Sequence, residues 1–204
     1  MSAKLRESTA VRLLASPGLQ HDQAQAALAA SFSVTAISSP GELLDRASLP
    51  LFGAGEAEVH EQAHALADQL TNGLCLNPDR QHHRALLIDH ALTHRSAHPW
   101  QIAVIGHELA RRAGIASFVG LCEGEPWTVV RGEGQMALVG PCSISGRPDA
   151  SQVRPRCAHQ VARAVLTEIR AAAPTESADR AARLLRALPC GGRGCRRRRG
   201  GEAD

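Results

Sequence analysis

Aromatic side chains are nearly absent from these 204 residues: Tyr does not occur, Phe occurs three times and Trp twice. Stacking of bases needs a platform of rings, so single-strand nucleic-acid binding of that kind is almost excluded. The interior must be filled by Leu, Val, Ile and a great deal of Ala, which suits closely approaching helices. Long apolar runs are missing too. The least charged segment, Gln23 to Gly41, is broken by Gln, Ser and Thr, so no transmembrane helix is expected. Lys4, Arg6 and Glu7 precede only a brief apolar patch, Val11 to Ala15, before Pro17-Gly18, too short for the apolar region of a signal peptide. A soluble cytoplasmic protein is the expectation. The scatter of Cys75, Cys122, Cys142, Cys157, Cys190 and Cys195 does not resemble a disulfide framework, so reduced thiols are expected.

A basic face is also lacking. The net charge of +3 is carried by Arg193 and Arg196 to Arg199 against Glu202 and Asp204, leaving a formally neutral body. Such a tail would hold RNA or an acidic partner only nonspecifically, through counterion release. The remaining composition, 44% apolar and 21% charged, is that of a globular chain. A domain of this length buries about 70% of the surface its unfolded chain exposes, so neither metal nor disulfide is required for a core.

What is present is helix after helix, with clear punctuation. Ala3 to Ala15 and His21 to Ser31 read as helices, the first stopped by Ser16-Pro17-Gly18. Ser39-Pro40-Gly41-Glu42 has the form of a capping box opening a short helix through Leu44. Leu49 to Gly55 is a loop, Glu56 to Asn72 is helical, and Gly73 is its expected left-handed stop. Arg84 to Thr93 is helical up to Ala97-His98-Pro99. A further helix then runs to Arg112, its Ile102, Ile105, Leu109 and Ala113 sharing a core face. The texture changes at Gly114. Ile115 to Leu121, Pro126 to Arg131 and Gln135 to Gly140 are short and β-branched and read as strands, the last two joined by a Gly132-Glu133-Gly134 hairpin. Cys157 to Ala172 and Glu176 to Leu188 form a helical hairpin, and Cys190 to Asp204, with no apolar anchor, is expected to be disordered.

The middle of the chain carries a resemblance. Leu87-Ile88-Asp89-His90-Ala91-Leu92, then Ala97-His98-Pro99-Trp100-Gln101-Ile102, then Glu108-Leu109-Ala110-Arg111-Arg112-Ala113-Gly114-Ile115 resemble the core of bacterial transglutaminase-like proteins of the SirB type. In those, YLDEVL, GIPIS and EVARRLGLP motifs stand in the same order. Gly124 to Arg131 is similar to their GHFLVR strand, Leu138-Val139-Gly140-Pro141 to their LIDPF, and the C-terminal hairpin to the tetratricopeptide-like helices that follow. The resemblance covers residues 56 to 188. It implies an N-terminal helical region (1–55), a transglutaminase-like core (56–150), a helical hairpin (151–189) and a tail (190–204).

The superfamily's chemistry needs a Cys at the start of the core helix, where the helix dipole lowers its pKa, with a His base and an Asp orienter on the following strands. The register puts the three positions at Pro99, at Glu125 to Trp127, and at Gly140. No Cys lies between Cys75 and Cys122, and no His between His107 and His159. The resemblance therefore implies the fold without the reaction, with no catalytic residue assigned.

Other constellations have plainer readings. His107-Glu108 lacks the second His of a zincin helix, because Arg111 stands there. Glu108 and Arg112 are expected to pair on the solvent side, contributing about 0.2–0.5 kcal/mol. Cys157-Ala158-His159 with Cys190 and Cys195 lacks zinc-loop spacing, so no metal is expected. His90, His94 and His98 would form a stripe only if one helix ran through all three, and Pro99 disfavours helix at His98, so they read as a solvated face. The expectation is an α+β protein without cofactor or metal, acting as a protein-interaction or scaffold module. The rival is a cysteine-dependent hydrolase or acyltransferase whose nucleophile has moved to Cys122 or Cys142.

Overall fold

Alanine and leucine at helical spacing produce eight helices among the described residues of the computed structural model, which are 3–32, 40–140, 143–145 and 151–189. Three come first: α1 (Ala3–Leu14), α2 (His21–Phe32) and α3 (Pro40–Ser48). After two 3-10 turns, α4 (Val59–Asp68) runs into a π turn (Gln69–Gly73), and strand β1 (Asn77–Pro78) follows. Helix α5 (Ile88–His94) and strand β2 (Ser96–Ala97) lead into α6 (Pro99–Arg112). Strands β3 (Ser117–Cys122), β4 (Glu125–Gly132), β5 (Gln135–Gly140), β6 (Ser143–Ser145) and β7 (Arg154–Pro155) come next, then α7 (Ala158–Ala172) and α8 (Thr175–Ala187). The fold is α+β.

Helix α6 is the axis. Its residues Gln101 to Gly106 and Glu108 to Ala110 are buried, the polar Gln101 and Glu108 among them. On one side Ile102, Ile105 and Leu109 pack with Leu66 and Leu70, and with Val130 and Val139 of the sheet. On the other, Ala103 and Val104 join a core built from α1, α2, α7 and α8, including Leu14, Leu28, Val165 and Leu184. Helices α1 and α2 and the C-terminal hairpin thus close over the same side of α6, while Leu44 of α3 joins the other core. The sheet is antiparallel throughout, in the order β6-β5-β4-β3-β7. Alternation along its strands turns Val119, Thr128, Val130, Ala137 and Val139 inward, while Phe118, Cys122, Trp127, Val129, Met136 and Leu138 cluster on the outer face. Glu123 and Gly124, at φ of 52° and 85°, turn β3 into β4.

Several expectations need correction. Leu87 is extended, separating a 3-10 turn (His83–Leu86) from α5. Leu86 and Leu87 enter one core and Ile88 the other, and the Ala85 and Leu86 carbonyls accept from His98 N–H at 2.9 Å and Gln101 Nε2 at 2.6 Å instead of continuing a helix. Gly73 does not stop α4 in the left-handed region; Cys75 takes that conformation instead, at φ 52°. A Cβ at Gly73 would displace the end of the Gln69 side chain, whose Nε2 donates to Ala47 O at 2.9 Å. The histidine stripe ends at His94, whose ring lies 4.3 Å from that of His90, and His98 is buried. Glu108 is only 1% exposed, so its pairing with Arg112 (2.5 Å) and Arg111 (2.8 Å) is not on the solvent side. Asp22 reaches both arginines and Asp45 reaches Arg112, which ties α2 and α3 to α6.

The expectation of six reduced thiols fails at Cys157, which is disulfide-bonded, whereas Cys75 and Cys122 are free. Wide separation in sequence says nothing about separation in space. Ser39, Cys142, Cys190, Cys195 and the arginine tail lie outside the described residues.

Candidate functional site

A cavity of about 260 Å³ opens where α6 begins. Three walls surround it. The first turn of α6 contributes Pro99, Ile102 and Ala103; the end of the sheet contributes Glu125, Pro126, Trp127, Val139 and Gly140; a strap before α5 contributes Pro78 and Arg80. Pro99, Trp127 and Gly140, the places where the resemblance implies the three reacting positions, line one cavity. The pleat refines the middle position. Thr128 Oγ1 donates to Ala103 O at 2.9 Å, so the helix-facing residues of β4 are Pro126 and Thr128, and Trp127 belongs to the outer cluster with Cys122.

The strap is held by non-local contacts. Strand β1 pairs in parallel with β2, and Asp79 N–H donates to Ala97 O at 2.9 Å. Asp79 anchors the turn that follows: Ser96 Oγ donates to its Oδ2 at 2.8 Å, and the His82 and Gln81 N–H groups donate to Oδ1 at 3.1 and 2.9 Å. Led by the Ser96 bond, these donors outweigh desolvation and hold the carboxyl far below the usual carboxylate range. The next residue, Arg80, pairs across the mouth with Glu125. Both side chains are about half exposed, at 59% and 47%, and a pair so solvated contributes roughly 0–1 kcal/mol. Its placement matters more than its strength.

The first N–H groups of α6 already have acceptors. A helix N-terminus offers unpaired N–H groups that can stabilise a thiolate or an oxyanion. Here Pro99 has no N–H, the Trp100 N–H donates to His98 Nδ1 at 3.3 Å, and the Gln101 N–H donates to His98 O at 2.7 Å. His98 is the N-cap, and burial pushes its pKa down. A residue directly before a proline at the first helical position occupies the cap site, so this role was legible in the sequence. Pro78 and Arg80 were not, since only the β1–β2 pairing brings them to the cavity.

The relocated-nucleophile candidates do not join this site. Cys122 is 8% exposed and packs with Val129, Leu138 and Val153 on the outer sheet face; Cys142 lies outside the described residues. Among the described residues, no group of three or more His, Cys, Asp or Glu side chains could hold a metal ion, and no helix is long and apolar enough to cross a membrane.

A second cluster sits at the far end of α6. His107 Nδ1 lies 2.9 Å from Ser117 Oγ, and the His107 ring stands edge-on to His21 with centroids 5.1 Å apart. Burial, then the neighbouring His107, pushes His21 down to about 3. The cluster joins α2 to α6 and β3, and reaches no cavity described above. No protein-family model matches the chain, and neither the curated proteins nor the solved structures contain a match to it.

Proposed function

We propose that this chain retains a transglutaminase-like scaffold of the SirB type without its acyl-transfer chemistry, and works as a protein-interaction module centred on the α6 cavity. One observation carries the reading. The residues at the three reacting positions converge on a single open cavity, yet they are Pro99, the Glu125 to Trp127 stretch and Gly140. Pyrrolidine is not a nucleophile here, indole takes no proton from a thiol, and the Glu125 carboxylate is engaged by Arg80. The capping by His98 supports the same conclusion, because the N–H groups that would activate a thiol are already used. The presence of a helical hairpin, α7–α8, after the sheet supports the reading.

The cytoplasmic placement belongs to this proposal. The Cys157 disulfide weighs against it, since such bonds are rare in reducing compartments. Nucleic acid is at most a weak, nonspecific partner of the arginine tail.

Thiol chemistry tests the reading. Purified full-length protein should give no thiol-dependent amide hydrolysis or glutamine cross-linking, and its free cysteines should label slowly at neutral pH, without one hyperreactive member. Turnover abolished by Cys122→Ser or Cys142→Ser would establish the relocated-nucleophile enzyme instead.

A further inference from the structure

We infer that Cys157 forms its disulfide with Cys190, and that this bond latches the end of α8 to the start of α7, so that a dithiol reductant loosens the C-terminal hairpin from the helical core. The inference is independent of the module reading and of the α6 cavity.

Elimination comes first. The chain has six Cys, of which Cys157 is disulfide-bonded and Cys75 and Cys122 are free, so the partner is Cys142, Cys190 or Cys195. The sheet excludes Cys142. Its neighbours Gly140 and Ser143 pair with each other across β5 and β6, whereas Cys157 follows β7, and Arg156 N–H still donates to Val119 O at 2.8 Å along the far side of β3. In the order β6-β5-β4-β3-β7, β5 and β7 stand three strand spacings apart, about 14 Å, and the Cα atoms of a disulfide are no more than about 7 Å apart. The hairpin then selects Cys190. Helices α7 and α8 turn back on each other at Ala173 and Pro174. Cys157 lies sixteen residues before Ala173 and Cys190 sixteen after Pro174, which sets them level at the open end. Arg163 Nη2, on the second turn of α7, donates to Leu188 O at 3.3 Å and Pro189 O at 3.2 Å. The residue before Cys190 is thereby tied beside the start of α7, and Cys195 stands five residues farther on, with a longer loop to close.

The bond sits where it can hold the helical core together. Leu184 and Leu188 are buried with Leu14, Leu28 and Val165, and Arg183 pairs with Glu7 of α1 at 2.6 Å, so the end of α8 clamps α1. A dithiol opens the latch in two exchanges. Its first thiolate attacks one sulfur and releases the other cysteine; its second thiolate displaces the protein from the mixed disulfide. The two protein sulfurs gain two electrons and two protons, and the dithiol closes to a cyclic disulfide.

Tryptic mapping of the full-length protein, purified without reductant and oxidised in air, reads the pairing directly. Cleavage after Arg puts Cys157, Cys190 and Cys195 in separate peptides, 157–163, 187–193 and 194–196, and Cys142 in a fourth. The first two of these should be found linked. Linkage of Cys157 to Cys142 or Cys195, or an unlinked Cys157, would overturn the assignment. Adding dithiothreitol should raise the unfolding constant about 30-fold or more and lower the melting temperature by about 5 °C or more, with amide exchange rising in α8 and α1 more than in the sheet. Cys190→Ser should begin at the lower melting temperature and ignore dithiothreitol, whereas Cys195→Ser should respond as the native chain does. Failure of either the melting temperature or the α8 exchange of the native chain to respond would overturn the latch.

Discussion

Acidification should loosen the contact between α2 and α6, and the His21–His107 cluster sets how much. An unfolded His titrates near 6.5, whereas His21 in the folded protein is pushed down to about 3 by burial and by His107. The groups facing the cluster include Asp22 on α2, Glu108 and Arg111 on α6, Ser117 on β3 and Arg156 before α7. Asp22 and the Arg156 backbone act the other way on His21 but do not prevail. Below pH 6.5 the unfolded chain binds a proton that the fold refuses, so stability falls as pH falls from 6.5 towards 3. At pH 5, 1.5 units below the unfolded value, the unfolding constant should rise about 30-fold from this one residue, equivalent to about 2 kcal/mol. For a chain of this size that is roughly 4–8 °C of melting temperature.

Because His83, His90, His98 and His107 are also depressed, the assay must be a difference. Urea unfolding of the native chain and of His21→Asn at pH 7.5 and pH 5 should show about 2 kcal/mol less acid loss in the variant. Equal losses, or a His21 ring proton titrating near 6.5 in NMR, would refute the reasoning.

Three further outcomes follow from the packing. Glu108→Gln should cost about 1.5–3 kcal/mol in urea unfolding, because it weakens charge-assisted bonds to Arg111 and Arg112 at a 1%-exposed position; Asp22→Asn, nearer the surface, should cost less than about 1 kcal/mol. Gly106→Ala should destabilise by about 1–3 kcal/mol, since the new Cβ would overlap Thr128 Oγ1. In a Thr128→Ala background the same change should become neutral or favourable, as Ala is the better helix former by about 1 kcal/mol; a cost that persists there would assign the clash elsewhere. His98→Ala should remove about 1 kcal/mol by uncapping α6, read as a lower midpoint with an unchanged denaturant slope.

The amino-acid sequence alone determined whatever depends on neighbours within a few residues. The spacing of Ile102, Ile105 and Leu109 makes α6 a core helix, Pro99 and Gly114 punctuate it, and Gly132-Glu133-Gly134 turns β4 into β5. The C-terminal hairpin was equally plain, its helices differing by a residue or so at the ends.

Only the tertiary structure decided the rest, because long-range pairing leaves no local signature. Strands β1, β2 and β7 are two residues long and exist through their partners, so the strap bearing Pro78 and Arg80 could not be placed in advance. Leu87 breaks its helix where His98 and Gln101, arriving with α6, take the Ala85 and Leu86 carbonyls. Glu108 looked like a surface residue until α2 and α3 folded over it and supplied Asp22 and Asp45. Burial is a property of what arrives from elsewhere in the chain, and it governs both the charge network and the depressed histidines.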